Sequence, residues 1–184
     1  HLVGRTSSFT IYGEDDALAA VRRIMERLKI SPKQWTAKAL RGAISGAKNA
    51  LVTPEEYAKL AMDPLSKAAS LVYDQLDRTL RESNAVDFDD LLVLPVRVLQ
   101  QNPDRVAAYR ERFNFLLVDE YQDTNRAQYE FVKLLAGAAG NVLVVGDDDQ
   151  SIYGWRGSNI RNILDFERDF PTAAVVRLEE NYRS

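Results

Sequence analysis

Phe115-Leu116-Leu117-Val118-Asp119-Glu120-Tyr121-Gln122-Asp123 is the stretch that decides how this chain folds. Four apolar residues run without a break and end on two acids. A run this short and uniform suits a strand of a parallel sheet, where both faces are covered. Val142-Leu143-Val144-Val145, ending in Gly146-Asp147, has the same plan. Ala174-Val175-Val176-Arg177-Leu178 is a third such run. Helix-like stretches from Asn125 to Leu135 and from Asn159 to Asp169 separate them. Short apolar strands alternating with helices predict a parallel sheet buried on both faces. Ligands of such sheets bind beyond the carboxyl ends of the strands. The acids at 119–120 and 147–149 both lie at those ends.

Upstream the pattern is helical. Ser8-Phe9-Thr10-Ile11-Tyr12 suggests one short strand. Leu18, Val21, Ile24, Met25 and Leu28 then recur at helical spacing, predicting a helix over 15–29. Ser31-Pro32-Lys33-Gln34 has the form of a helix start, with a serine cap, a proline in the first turn and a glutamine at the third position. Thr53-Pro54-Glu55-Glu56 repeats the signal with an acid. Longer helices are expected over 65–82 and 87–101. Pro95 falls inside the second, which predicts a kink or a break there. The change of pattern puts a domain boundary near residue 112.

Composition limits the chemistry. The 184 residues include no cysteine and one histidine, at position 1, with 46% hydrophobic and 28% charged residues. Disulfides, thiolate metal sites, histidine-based zinc sites and histidine triads are thereby excluded. Any metal must be held by oxygen, which favours magnesium or calcium. No apolar run approaches the length of a membrane span, so no membrane partner is expected. The net charge of −3 argues mildly against a dedicated nucleic-acid-binding domain. The charge is uneven, however. Residues 22–48 carry Arg22, Arg23, Arg27, Lys29, Lys33, Lys38, Arg41 and Lys48 against one acid, Glu26. This stretch reads either as a DNA-facing helix that includes Ser45-Gly46-Ala47-Lys48-Asn49 or as an ordinary solvated face.

An apolar strand that delivers Asp119-Glu120 at its tip suits nucleotide hydrolysis. One carboxylate can hold Mg²⁺, directly or through water, and the next can accept a proton from the attacking water. A solvated acidic turn behind a buried strand is the alternative, and the pair alone does not separate the two. Asp147-Asp148-Asp149 is a poorer metal site, because three consecutive residues cannot all face one ion from a regular strand.

The segments that follow are more specific. Asp119-Glu120-Tyr121-Gln122-Asp123-Thr124-Asn125 is succeeded by Val145-Gly146-Asp147-Asp148-Asp149-Gln150-Ser151-Ile152-Tyr153-Gly154-Trp155-Arg156-Gly157, and the sequence closes on Leu178-Glu179-Glu180-Asn181-Tyr182-Arg183-Ser184. This ordered set resembles motifs II, III and IV of superfamily 1 ATP-dependent DNA helicases of the UvrD/PcrA/Rep group. Val86-Asp87-Phe88-Asp89-Asp90-Leu91-Leu92 is also similar to a segment of that group, and Phe9 to Asp16 more loosely so.

The resemblance implies an α/β fold: a mostly helical insertion subdomain (1B-like) over 1–112, then a partial RecA-like (P-loop NTPase) parallel sheet flanked by helices over 113–184, the second half of domain 1A. It implies ATP and Mg²⁺ as cofactors of the parent protein, with Asp119 on the metal and Glu120 as general base. Gln150 would sense the γ-phosphate. Tyr182 would stack on adenine, and Arg183 would reach the γ-phosphate. Tyr153, Trp155 and Arg156 would meet single-stranded DNA, Trp155 by stacking on a base. Stacking on an aromatic face accepts any base, which suits sequence-blind translocation. A guanidinium forks onto phosphate oxygens and keeps its charge. Core or turn aromatics remain the alternative for Tyr153 and Trp155, and an unstructured arginine for Arg183. Single-stranded and duplex DNA are the implied partners, 3′-to-5′ translocation the implied activity, and the cytoplasm, at the nucleoid, the implied location.

No G-x-x-x-x-G-K-[ST] loop occurs in the 184 residues. That loop cradles phosphates and is needed for tight Mg·ATP binding. The chain is therefore expected to be a piece of a longer enzyme, catalytically incomplete by itself. A sheet lacking neighbouring strands exposes an edge, so self-association or marginal stability is expected. Two other functions fit parts of the sequence: a non-catalytic DNA-binding or interaction module, and a carboxylate-metal nuclease using Asp119, Glu120, Asp147 and Asp149. The second leaves the segments around Trp155 and Tyr182 without a role.

Overall fold

Cap chemistry starts three of the helices close to where the sequence places them. The structure is a computed structural model, and it describes residues 3–137, 140–147 and 166–177. Strand β1 (Thr10–Ile11) is followed by helices α1 (Glu14–Arg27), α2 (Ala37–Asn49), α3 (Pro54–Leu60) and α4 (Pro64–Glu82). Strand β2 (Ala85–Val86), helices α5 (Asp90–Gln101) and α6 (Pro103–Arg112), strand β3 (Leu116–Val118), helix α7 (Arg126–Ala136) and strand β4 (Val142–Val144) complete the order. Thr53 and Glu56 form the expected capping box at α3, the threonine hydroxyl accepting from the Glu56 amide at 3.2 Å and the Glu56 carboxylate from the Thr53 amide at 2.8 Å. The Asp63 carboxylate caps α4 by accepting from the Leu65 and Ser66 amides. Such caps are worth about 1 kcal/mol each.

The start expected at Ser31 is displaced. Residues 32–35 form a turn in which the Gln34 and Trp35 amides both donate to the Ser31 carbonyl. Trp35 packs partly buried against the main core. Thr36 is then extended (φ −75°, ψ 148°), and its hydroxyl accepts from the Ala39 amide, so α2 begins only after it. Pro95 also behaves differently from expectation, since α5 runs through it without a break. The hydrogen bond that proline forfeits belongs to the carbonyl four residues back. That residue is Leu91, in the exposed first turn of α5.

Helices α1, α2 and α4 build the main core around Val21, Ile24, Leu40, Ile44, Val72 and Leu76, each at most 1% exposed. Full burial of a large aliphatic side chain contributes about 1.5–3 kcal/mol, so this trio of amphipathic helices holds most of the first half together. α3 closes one end, where Tyr57 meets Tyr73 edge to face at 6.1 Å. β1 and β2 pair in parallel, Thr10 with Ala85 and Ile11 with Val86. A second cluster joins Leu99 of α5, Val106 of α6 and Leu135 of α7, with Leu116 of β3 and Phe131 packed against it. α5 and α6 therefore share a core with β3 and α7.

β3 and β4 are parallel, with Leu116, Leu117 and Val118 opposite Val142, Leu143 and Val144. This is the expected strand–helix–strand order. The expectation that both sheet faces are buried is not met among the described residues. Leu116 faces the helices, but Leu117 is 72% and Leu143 51% exposed on the other face. Of the third expected strand, the described residues 174–177 lie in no strand, and Leu178 lies outside the described residues. Of the helix expected at 159–169, residues 166–169 are helical and the remainder lies outside the described residues.

Candidate active site

β3 brings Asp119 and Glu120 to its carboxyl end, where the chain turns sharply. The ladder with β4 continues past the strands: the Val145 amide donates to the Val118 carbonyl at 2.8 Å, and the Tyr121 amide to the Val145 carbonyl at 2.9 Å. Between these two bonds sits Glu120, in the left-handed region at φ 50°, ψ 42°. A non-glycine residue there is uncommon and costs about 1 kcal/mol or more. The Glu120 amide donates to the Asp119 carboxylate at 2.9 Å, which helps to hold the turn. A single 3-10 turn, Tyr121–Asp123, follows.

That turn is anchored from below. Tyr121 is buried and meets Phe166 edge to face at 5.6 Å. Burial, with the nearby Asp169 charge, pushes its phenol up to about 12, so it stays neutral and takes no part in proton transfer near neutral pH. Gln122 is fully buried. Its Nε2 donates to a Glu120 carboxylate oxygen at 2.6 Å, and its Oε1 accepts from the Asp147 amide at 3.0 Å. Asn125 then caps α7, its Oδ1 accepting from the Gln128 amide at 2.9 Å. Asp119, Glu120, Asp123, Thr124, Gln128 and Phe131 line an open depression of about 320 Å³ beside the turn.

Of the residues singled out from the sequence, Asp119 and Glu120 stand together, exposed, at the strand end. Gln150, Tyr153, Trp155, Arg156, Tyr182 and Arg183 lie outside the described residues, as do Asp148 and Asp149. Among the described residues no three potential ligands converge as a metal cluster. Sequence reasoning passed over Gln122 and Asn125. A glutamine between a tyrosine and an aspartate carries no periodicity that would reveal its burial.

The basic stretch resolves differently from its DNA-facing reading. Lys48 and Arg41 of α2 are buried in an ion network with the loop before α5 and the first residue of that helix. The Lys48 ammonium lies 2.9 Å from Asp87 and 2.7 Å from Asp90, and the Arg41 guanidinium 2.7 Å from Asp89 and 3.5 Å from Asp87. Two cations face three carboxylates. Burial pushes the Asp87 carboxyl up, but the Lys48 and Arg41 charges outweigh it and hold Asp87 below the usual carboxylate range. Burial, against the pull of Lys48 and with the push of the Asp87 charge, holds Asp90 above that range. Ser45 and Asn49 donate to Asp89 at 3.0 and 3.1 Å. The tip of α2 is thus a structural clamp. Arg22, Arg23, Arg27, Lys29, Lys33 and Lys38 remain exposed.

Comparison with known proteins agrees with the ordered motifs. The family described as the UvrD/REP helicase N-terminal domain matches residues 1–171. The chain belongs to that family. It is 44% identical over 182 residues to the ATP-dependent DNA helicase PcrA of Leuconostoc citreum, covering 99% of this chain and 24% of that protein. It is 42% identical over 182 residues to PcrA of Bacillus subtilis, covering 99% of this chain and 25% of that protein. The chain thus spans about a quarter of the length of the curated relatives it matches. A mostly helical first part and a strand–helix–strand unit fit a partial RecA-like domain of this family. No helix among the described residues is long and apolar enough to cross a membrane.

Proposed function

We propose that this chain forms part of an ATP-driven helicase that translocates 3′ to 5′ on single-stranded DNA and unwinds duplex DNA in repair or replication, acting in the bacterial cytoplasm. The observation that carries the proposal is the adjacent pair Asp119 and Glu120, presented at the carboxyl end of β3 beside β4, in a chain related along its length to PcrA helicases. We assign residues 1–112 to a helical insertion and 113–184 to the second half of a RecA-like domain, with α5 and α6 packed onto the second part.

In this mechanism water attacks the γ-phosphorus of ATP and passes its proton to the Glu120 carboxylate, while the bond from that phosphorus to the bridging oxygen of ADP breaks. Positive charge must gather on the γ-phosphoryl oxygens as this happens. Arg183 supplies it from the chain, and Gln150 contacts the same group. Tyr182 stacks on adenine. An oxygen-only donor set fits Mg²⁺, which takes one or two carboxylates together with phosphate oxygens and water. Asp119 would hold that ion, which when bound neutralises charge on the phosphates. Tyr153, Trp155 and Arg156 contact single-stranded DNA. The phosphate-cradling lysine loop is not among these 184 residues, so turnover requires residues from outside them.

In the full-length protein carrying this chain, Glu120→Gln is expected to abolish ATP turnover while leaving nucleotide binding largely intact. Substantial turnover in that variant would remove Glu120 as the general base. The 184-residue chain alone is expected to hydrolyse no ATP. The exposed cations from Arg22 to Lys38 favour a second reading, in which the chain binds DNA without chemistry. Titration with labelled single-stranded DNA separates them: loss of binding in Trp155→Ala supports the helicase surface, and unchanged binding points to the basic residues.

A further inference from the structure

A buried amide is costly unless its donor and acceptor are both satisfied. Gln122 is 0% exposed, and its two ends are committed in opposite directions. The Nε2 end donates to Glu120 Oε2 at 2.6 Å. The Oε1 end accepts from the Asp147 backbone amide at 3.0 Å. Chemistry dictates which end goes where, since a carboxylate only accepts and a backbone N–H only donates. The shorter of the two bonds is the one to the charged partner, as expected for a charge-assisted hydrogen bond.

Glu120 needs such an anchor. It is exposed, and among the described residues no other side chain bonds its carboxylate. A free glutamate samples many rotamers, and ordering it costs conformational entropy. A proton acceptor works only within hydrogen-bond reach of the water it serves. The left-handed turn at Glu120 aims the backbone, and Gln122 then fixes the side chain from beneath. With Oε2 occupied by Gln122, Oε1 is left to receive a proton.

We propose that Gln122 is a positioning residue for the Glu120 carboxylate, fixing it to the backbone of the β4 exit at Asp147. This rests on the reading of Glu120 as the proton acceptor. The bond to Asp147 adds to the backbone bonds that join the two strand ends, so the acceptor keeps its place relative to the segment that leaves β4. A residue acting in this way changes the chemical step and leaves substrate binding alone.

The test uses the full-length protein that carries this chain, with ATP as substrate. Gln122→Glu keeps an acceptor for the Asp147 amide but removes the donor to Glu120 and sets a second carboxylate against the first. Gln122→Met fills the same space and makes neither bond. For both, kcat is expected to fall on the order of 10- to 100-fold with KM for ATP within about twofold. Binding of a non-hydrolysable ATP analogue and the helical circular dichroism should be retained. Added to Glu120→Gln, neither variant should lower the residual turnover further, because all act through one carboxylate. Three outcomes overturn the proposal. The first is Gln122→Glu turnover within about threefold of the parent while Glu120→Gln is inactive. The second is a further, additive loss in the double variants. The third is joint loss of analogue binding and helical signal in both single variants, which makes Gln122 a structural residue only. If Glu120→Gln itself stays active, the proton-acceptor reading fails, and that failure is seen separately.

Discussion

The side-chain amide of Asn125 donates to Asn49 Oδ1 at 2.8 Å, joining the cap of α7 to the last turn of α2. Asn49 is in turn held by Asp89, which also pairs with Arg41. The residue that starts the helix after the acidic turn is therefore tied to the ion network beneath the helical part. Asn125→Ala removes both the cap and the link. A lost asparagine cap costs about 1 kcal/mol, and an orphaned partner adds about 1 kcal/mol or more. Asn125→Asp retains the cap acceptor but loses the donor. Urea unfolding should rank the alanine variant as the less stable of the two. Equal stabilities would show that the link to Asn49 carries the effect and the cap does not.

Lys48 shows how much rests on the clamp. Its side chain is 3% exposed and serves two buried carboxylates at once. Replacing it with a neutral residue of similar volume leaves Asp90 without its cation and Asp87 with only the longer contact to Arg41. Breaking a buried pair from one side costs about 3–5 kcal/mol. Lys48→Met is expected to lower unfolding stability by that order in chemical denaturation at neutral pH. A change below about 1 kcal/mol, the range of exposed pairs, would mean that water reaches this network in solution.

The two aspartates should respond oppositely to pH. Asp87 is held below its ordinary range. Its contribution is complete above the unfolded pKa, about 3.9, and is lost as the pH falls through the lower folded value. Asp90 is held above its ordinary range. Its contribution is present below the unfolded pKa and is lost as the pH rises through the folded value. Asp87→Asn should therefore destabilise strongly at neutral pH, and its deficit should narrow below about pH 4. Asp90→Asn should cost less at neutral pH, because it removes one of three carboxylates crowding two cations. Stability curves measured from neutral to acidic pH decide the matter. A larger neutral-pH cost for Asp90→Asn would reverse the assignment.

Local signals survived into the structure where the chemistry is local. Thr53-Pro54-Glu55-Glu56 caps α3 as its residues require, and the two apolar runs become β3 and β4 because no helical spacing competes with them. Ser31-Pro32 had equal local merit but lost to a distant demand, the packing of Trp35 into the core. β2 was illegible because two buried residues are too few to alternate. The ion network was illegible for a related reason. Lys48 lies 39 positions from Asp87, and periodicity says nothing about a charge that turns inward to meet so distant a partner. Asp119 and Glu120 were readable as a pair, but the burial of Gln122 beneath them depends on a turn closing over it. The expected contacts of Gln150, Tyr153, Trp155, Arg156, Tyr182 and Arg183 lie outside the described residues.

Self-association of the isolated chain follows from the uncovered sheet. Leu117 and Leu143 are paired across the strands and exposed on the same face, and Val145 is exposed just beyond them. Among the described residues β3 and β4 pair only with each other, which leaves each with an open edge. Open edges and bare apolar faces favour pairing with another chain. Burying a leucine of this kind contributes about 1.5–3 kcal/mol, so two such residues on each of two copies supply a useful part of a weak dimer interface. The 184-residue chain is therefore expected to sediment as a concentration-dependent mixture. Leu117→Lys with Leu143→Lys should shift it toward monomer, since an ammonium on that face must be desolvated for a second copy to dock. Helical content should be unaffected, because both leucines point away from the helix-packed face. A chain that is already monomeric and melts cooperatively across the concentration range would remove the proposal.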